Sequence, residues 1–175
     1  MSKIRIENFG PIKEGFKETL PNGRINEWLD VKKVTVFIGN QGSGKSTVAK
    51  AISTLTWMEK ALSRGDVKKE NLLTNDLYEY FEYQRIEKYF KPNTLIEYHG
   101  EFAHIIVKNN IEDCSIDIKE GGQLSVLPKI MYVPAERNFL TVVQDAYDVT
   151  NIPDTLKTFG EELKKSMLSL NGSLL

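Results

Sequence analysis

The chain has 175 residues, of which 41% are hydrophobic and 27% are charged, values that are ordinary for a soluble globular protein. The formal net charge is −1, which excludes a global basic field that would recruit nucleic acid or a membrane surface. The sequence has no apolar run long enough to cross a bilayer, and its N-terminus turns charged too soon for a signal peptide. We therefore expect a cytoplasmic protein with no membrane partner.

The first forty residues predict two strands separated by turns. Residues 3–7 alternate polar and apolar side chains, which indicates a strand that stops at the break formed by Gly10 and Pro11. A second short stretch, 15–20, leads to a predicted turn at 21–23. Residues 34–38 are apolar and β-branched nearly throughout, so they predict a buried strand.

Two helical stretches follow. Apolar residues recur at helical spacing from Val48 to Leu62, and glycine at position 65 suits a C-terminal cap. Residues 75–90 form the second stretch, whose aromatic side chains we interpret as one packed helix face rather than a base-stacking surface.

From residue 94 onward, the spacing of apolar residues changes from that of a helix to that of short strands joined by turns. The predicted strands cover 94–98, 102–107, 115–118 and 123–127, and connections this short make neighbouring strands antiparallel. The single cysteine, Cys114, belongs to this region, and we interpret it as a small half-buried residue rather than a reactive thiol. A more apolar strand is predicted at 130–133, and an amphipathic helix is predicted from Asp154 onward.

One motif carries chemistry. It matches G-x-x-x-x-G-K-[ST] without a mismatch, between the predicted strand 34–38 and the first predicted helix, and it consists of Gly39, Asn40, Gln41, Gly42, Ser43, Gly44, Lys45 and Ser46. Glycines let the backbone amides turn toward an anion at the start of the helix. The lysine supplies a positive charge for the β- and γ-phosphates, and the serine hydroxyl is a ligand for Mg²⁺. The motif predicts that the chain binds ATP with Mg²⁺, with Lys45 in a catalytic role, Ser46 at the metal and Thr47 as an added contact to the α-phosphate.

Hydrolysis needs an acidic residue that holds Mg²⁺ or directs water, usually at the end of another strand. No run of four apolar residues ends directly in aspartate. Glu136, which follows the predicted strand 130–133, is the candidate for a catalytic or metal-shell group, and local pairing with Arg137 is the alternative.

The start of the chain resembles the opening of SMC, Rad50, RecF and OLD-like ATPases. The resemblance rests on residues 4–12, on the P-loop with the residues before it, and on the block 131–138. It implies an α/β fold, a P-loop NTPase of the ABC-type ATPase class, in which this chain is head lobe I with a mixed or antiparallel β-layer and flanking helices. Residues 1–152 would be the ATP-binding lobe, and 153–175 would begin a helical arm or insertion.

The same resemblance implies further roles. Asn8 and Phe9, in the segment 8–13, would approach the adenosine, and Gln144 would be the Q-loop glutamine that binds Mg²⁺, although Gln84 and Gln123 are other candidates. Part of a signature motif is suggested by 121–123, but Lys119 and Glu120 precede it and a hairpin turn is predicted there.

In that superfamily a second lobe brings the signature motif, the acidic residues and a switch histidine. The resemblance therefore implies a partner lobe or subunit, a nucleotide-dependent homodimer, and a role connected with DNA or phage defence. We expect the chain alone to bind ATP and hydrolyse it poorly.

Two alternatives remain open from the sequence. A complete small P-loop kinase would fit the length, but such kinases place the P-loop near their tenth residue and continue with alternating βα units. A nucleotide-sensing interaction module without turnover is the other alternative, and the missing acidic strand end favours it.

Overall fold

The computed structural model describes residues 2–73, 77–111, 113–119, 132–133 and 152–172. The chain divides into two compact units, 1–130 and 131–175. The predicted boundary after residue 152 falls inside the second unit and stays a prediction. Within the described ranges, no helix is both long and apolar enough to cross a membrane.

A five-stranded sheet organises the first unit. Its spatial order is β4-β1-β5-β6-β7, and every neighbouring pair is antiparallel. The strands are β1 (Ser2–Glu7), β4 (Leu29–Val31), β5 (Leu95–His99), β6 (Ala103–Lys108) and β7 (Asp113–Ile118). The antiparallel layer predicted from the turn signals at 99–100 and 109–110 is therefore confirmed, while the predicted strand at 123–127 lies outside the described residues.

A small hairpin lies apart from this sheet. It pairs β2 (Glu18–Thr19) with β3 (Ile25–Asn26). The turn between them is closed by a hydrogen bond from the Leu20 amide to the Arg24 carbonyl, and Gly23 takes a positive φ of 77°. Glycine reaches this conformation without a steric cost, which is why the turn was predictable from its residues.

The helices are unequal in length. α1 (Lys45–Arg64) has 20 residues and ends at Gly65, whose φ of 77° and hydrogen bond to the Leu62 carbonyl confirm the predicted cap. α2 (Lys69–Asn71) is a single turn. The predicted helix at 75–90 is shorter than expected: α3 (Leu77–Tyr83) ends where Arg85 takes a positive φ, and a 3₁₀ turn follows at Glu87–Tyr89. A second 3₁₀ turn, Asn109–Ile111, joins β6 to the last strand of the sheet.

The core lies between one face of the sheet and α1. Alternate residues of the strands point into it, as the period of two requires. Ile6, Ile96 and Tyr98 from the sheet join Leu55 and Met58 from the helix in one buried cluster. Burying each large apolar side chain contributes roughly 1.5–3 kcal/mol, so this cluster is the main source of stability.

A buried carboxylate joins α1 to the β5–β6 turn. Glu59 Oε1 accepts hydrogen bonds from the amides of Phe102 (2.6 Å) and Ala103 (3.0 Å), and Oε2 accepts one from the Tyr98 hydroxyl (2.9 Å). Burial, and then the charge of Glu59, raise the pKa of Tyr98 to about 12. A Cβ at Gly100 would overlap the Glu59 carboxylate, so a larger residue there would push the carboxylate away from its donors.

The prediction of a buried strand at 34–38 is wrong for the described structure. This segment has no strand assignment, and Val34, Val36 and Ile38 are 77%, 74% and 93% exposed. The segment is not part of either described sheet, so no described strand pairs with it. High β-propensity specifies how a segment can pair, but pairing needs a neighbouring strand.

In the second unit, the described residues are 132–133 and 152–172. The predicted amphipathic helix is present as α4 (Asp154–Gly172). Ile152 and Leu156 are buried, whereas Leu163 is 41% exposed.

Candidate functional site: the P-loop

The loop at 39–44 owes its shape to glycine. Gly42 and Gly44 have φ values of 79° and 91°, a region that side chains rarely adopt. A Cβ at Gly44 would lie 2.9 Å from Ile12 Cγ1, so a side chain there would also push against the turn that follows β1. At Gly42 a Cβ would meet nothing within 4 Å, so this glycine is required for its backbone conformation and not for space.

Lys45 folds back over the loop. Its Nζ donates to the carbonyl oxygens of Gly39 (2.7 Å) and Asn40 (2.6 Å) and lies 3.3 Å from Ser43 Oγ. An ammonium group that donates to two carbonyls in an exposed loop can exchange these partners for stronger anionic ones. The sequence motif did not predict that the Gly39 and Asn40 carbonyls would accept hydrogen bonds from Lys45.

The N-terminus of α1 is open. The N-cap is Gly44, which has no side chain to cap the helix, and the described first turn has no acidic residue. The first helical hydrogen bond runs from the Val48 amide to the Gly44 carbonyl, so the amides before it point toward the loop. These amides and the positive end of the helix dipole form an anion site.

The two hydroxyls after Lys45 differ in exposure. The side chain of Ser46 is exposed, whereas Thr47 is buried. The metal-binding role of Ser46 stays a prediction, and its exposed hydroxyl leaves room for an ion. A contact from Thr47 to an α-phosphate stays a prediction, and the backbone amide is the group that can provide it.

The turn after β1 packs against the P-loop. The amide of Asn8 donates to the Lys13 carbonyl (3.1 Å), and Phe9 and Ile12 exchange two hydrogen bonds of 2.9 Å. Asn8 adopts a φ of 53°, a conformation that asparagine tolerates better than most residues. Pro11 and Ile12 then approach the space beside Gly44, so segment 8–13 adjoins the phosphate loop.

The aromatic ring of Phe9 lies in the core and not at that surface. Phe9 is fully buried, and its ring makes edge contacts with Phe81, Tyr89 and Phe90 at centroid distances of 6.1, 5.8 and 4.9 Å. The Phe9 ring therefore anchors the turn after β1 to the hydrophobic core. The predicted nucleotide contacts of Asn8 and Phe9 stay predictions, and for Phe9 the backbone is the available group.

Of the other predicted site residues, only Gln84 is among the residues that the structure describes. Glu136 and Gln144, together with the alternatives Gln123 and 121–122, lie outside the described residues. Gln84 is described and is buried, and its carbonyl accepts a hydrogen bond from Lys50 Nζ (2.7 Å).

These residues fit a polyphosphate with a magnesium ion. A mobile lysine, an uncapped helix N-terminus and an exposed serine hydroxyl converge on one loop whose backbone conformation needs glycine. Each group is a donor or a metal ligand, and the phosphate oxygens of a nucleotide are the complementary acceptors.

Comparison with known proteins agrees with this geometry. A family model described as an AAA ATPase domain matches residues 1–171, nearly the whole chain. No curated protein matches the chain. No solved structure matches it either.

Proposed function

Because the chain belongs to the AAA ATPase domain family, we propose that it binds ATP with Mg²⁺ at the P-loop and serves as one lobe of an ABC-type ATPase. The proposed relatives are the SMC, Rad50, RecF and OLD-like enzymes. In this proposal the chain supplies the phosphate-binding half of the site, and a second lobe completes hydrolysis.

The observation that carries ATP binding is the position of Lys45. Its ammonium group lies over the Gly39 and Asn40 carbonyls at 2.7 and 2.6 Å, at the mouth of the loop. Phosphate oxygens carry full negative charge and bind an ammonium more strongly than carbonyl oxygens do. Lys45 would therefore leave its intramolecular partners for the β- and γ-phosphates.

The remaining roles follow from exposure and chemistry. The amides of residues 42–46 would hold the phosphate oxygens, and the exposed hydroxyl of Ser46 would bind Mg²⁺. A bound Mg²⁺ would neutralise phosphate charge and orient the terminal phosphoryl group.

Two features support assignment to an ABC-type lobe. After α1 the chain builds antiparallel strands, whereas a small kinase would continue with βα units. The segment 34–38 enters the P-loop with three exposed apolar side chains and has no neighbouring strand among the described residues. A second lobe would supply that neighbour together with the acidic residues of hydrolysis.

Nucleotide-dependent homodimerisation is part of the proposal. In ABC-type ATPases each composite site is completed by the opposite subunit, so bound ATP joins the two copies. DNA is the partner that the resemblance suggests, and the net charge of −1 means that any DNA contact must use a local basic patch.

The experiment compares ATP hydrolysis by this chain alone and with a polypeptide that carries the second lobe. We expect turnover only in the mixture, and we expect Lys45→Ala to abolish it. Lys33→Ala is the matched control, because it removes one exposed positive charge from outside the loop.

Phosphoryl transfer by the isolated chain to a small acceptor would contradict the proposal in favour of a kinase. Tight binding that no second lobe converts to turnover would favour a nucleotide sensor.

A further inference from the structure

A cluster of metal-ligating side chains lies on the outer face of the sheet. His99 and His104 are cross-strand partners in the β5–β6 pair. Glu97 precedes His99 by two residues on β5 and therefore shares its face. These are the only two histidines in the chain, and the register of one hairpin brings them together.

The three side chains converge on one point. Glu97 Oε1 lies 3.3 Å from His99 Nε2 and 3.0 Å from His104 Nε2. The imidazole rings stack with centroids 3.7 Å apart and planes inclined by 27°. One ligand atom from each of the three residues lies within 4.8 Å of the other two.

The two separations from Glu97 Oε1, 3.3 and 3.0 Å, match the edges of a metal coordination polyhedron. Zinc binds imidazole nitrogen and carboxylate oxygen at about 2.0–2.2 Å, so adjacent ligands are about 3.0 Å apart in an octahedron and about 3.4 Å apart in a tetrahedron. We propose that Glu97, His99 and His104 form a binding site for a divalent transition metal ion of the Zn²⁺ type. The set of two imidazoles and one carboxylate leaves a fourth position open for water.

The chemistry and exposure of the ligands suit this role. Each imidazole offers a ring nitrogen to a metal when that nitrogen carries no proton, and the Glu97 carboxylate offers an oxygen. The side chains of Glu97, His99 and His104 are 19%, 31% and 22% exposed, which leaves a path for an ion. Imidazole ligands select zinc-type ions over Mg²⁺, so the site is chemically distinct from the P-loop.

Two basic side chains lie near the cluster, and carboxylates pair with one of them. Arg5, opposite Glu97 in the β1–β5 register, contacts Glu7 at 2.7 Å and Glu27 at 3.0 Å. Lys3 lies over the Trp28 ring at 4.3 Å from its centroid. Two carboxylates thus offset the guanidinium, which reduces its repulsion of an incoming cation.

Trp28 lies close enough to the cluster for its fluorescence to report metal binding. Its ring meets the His99 ring edge-on with centroids 4.8 Å apart, while Trp57 lies on α1 against Tyr80. A paramagnetic ion such as Co²⁺ at the cluster should quench Trp28 fluorescence. Trp28→Phe should remove most of that quenching, and Trp57→Phe should leave it.

The test is calorimetric titration of untagged, EDTA-stripped protein with ZnCl₂. We expect one ion per chain and a rise in melting temperature, because a ligand that binds only the folded state stabilises it. His104→Gln and Glu97→Gln should each weaken binding by more than about 100-fold, since losing even an outer-shell partner costs 10–100-fold.

Cys114→Ala and Lys45→Ala are the controls. The first removes the other residue type that zinc prefers and the second disables the P-loop, and both should retain the wild-type affinity. Melting curves without metal will show whether each variant folds, and Co²⁺ quenching of Trp28 gives a second reading on the folded ones. Absence of stoichiometric Zn²⁺ binding by the wild type would overturn the proposal. Binding that survives both ligand substitutions would overturn it too.

Discussion

Glu59 shows what a single side chain can contribute to this fold. It is 2% exposed, yet each of its carboxylate oxygens has a donor within hydrogen-bonding distance. A buried carboxylate without partners would be very costly, whereas one with several donors can join distant elements. Here it joins α1 to the β5–β6 turn, more than forty residues away.

Glu59→Gln should lower the free energy of unfolding by about 1–3 kcal/mol. The amide keeps one acceptor oxygen, but it replaces the charged acceptor of the buried donors with a neutral one and presents an NH₂ group to the Tyr98 hydroxyl. Chemical denaturation measures the loss. Glu79→Gln makes the same change at an exposed site and should alter stability by less than about 0.5 kcal/mol. Equal effects of the two substitutions would contradict the role given to Glu59.

The thiol of Cys114 should react slowly. Burial raises its pKa to about 11 from a usual 9.0, and the thiolate is the reactive form. At pH 8 the folded chain should alkylate with iodoacetamide roughly 100-fold more slowly than the chain in denaturant, because each pKa unit lowers the thiolate fraction tenfold. The rate should climb with pH toward 11. Equal rates in the folded and unfolded chains would contradict this.

Sequence reasoning succeeded where the requirement of a residue is local. The P-loop glycines were predicted to let the backbone turn, and Gly42 and Gly44 take positive φ values. The phosphate and metal roles of Lys45 and Ser46 stay predictions. The cluster of Glu97, His99 and His104 was not predicted. The sequence shows only Glu-x-His followed by a turn signal, and the pairing of the two histidines depends on the hairpin register.

At the scale of elements, local patterns predicted α1 well and short or exposed strands poorly. Apolar residues recur along this helix at helical spacing, and a glycine follows its last residue, so both features can be recognised in the sequence. β4 was missed because three residues carry no periodic signal, and its pairing with β1 defines it. Segment 34–38 has the composition of a buried strand, but composition cannot say whether a neighbour is present.

The exposure of the apolar side chains in segment 34–38 leads to a prediction about stability. Val36→Lys should change the free energy of unfolding of this chain by less than about 0.5 kcal/mol, because the side chain is 74% exposed. Ile6→Ala, on the buried face of β1, should cost about 2–5 kcal/mol in the same denaturation experiment. A loss at Val36 comparable to that at Ile6 would show that the segment packs in a core.

At the scale of the whole molecule, a sheet and a helix bring one anion site to the surface. The apolar cluster between α1 and the sheet fixes the helix, Gly44 begins it, and the turn after β1 packs against that start. Phe9 fixes this turn from inside the core. We therefore expect the loop to bind a phosphate once Lys45 leaves the Gly39 and Asn40 carbonyls.

Calorimetric titration of the chain with a non-hydrolysable ATP analogue in Mg²⁺ tests the central claim most directly. We expect saturable binding at one site per chain, lost when EDTA removes Mg²⁺. Lys45→Ala should weaken affinity at least tenfold, because the main cation for the β- and γ-phosphates is gone. Lys33→Ala should leave affinity unchanged. Wild-type binding that Lys45→Ala leaves intact, or no binding by the wild type, would contradict the assignment of this loop as the ATP site.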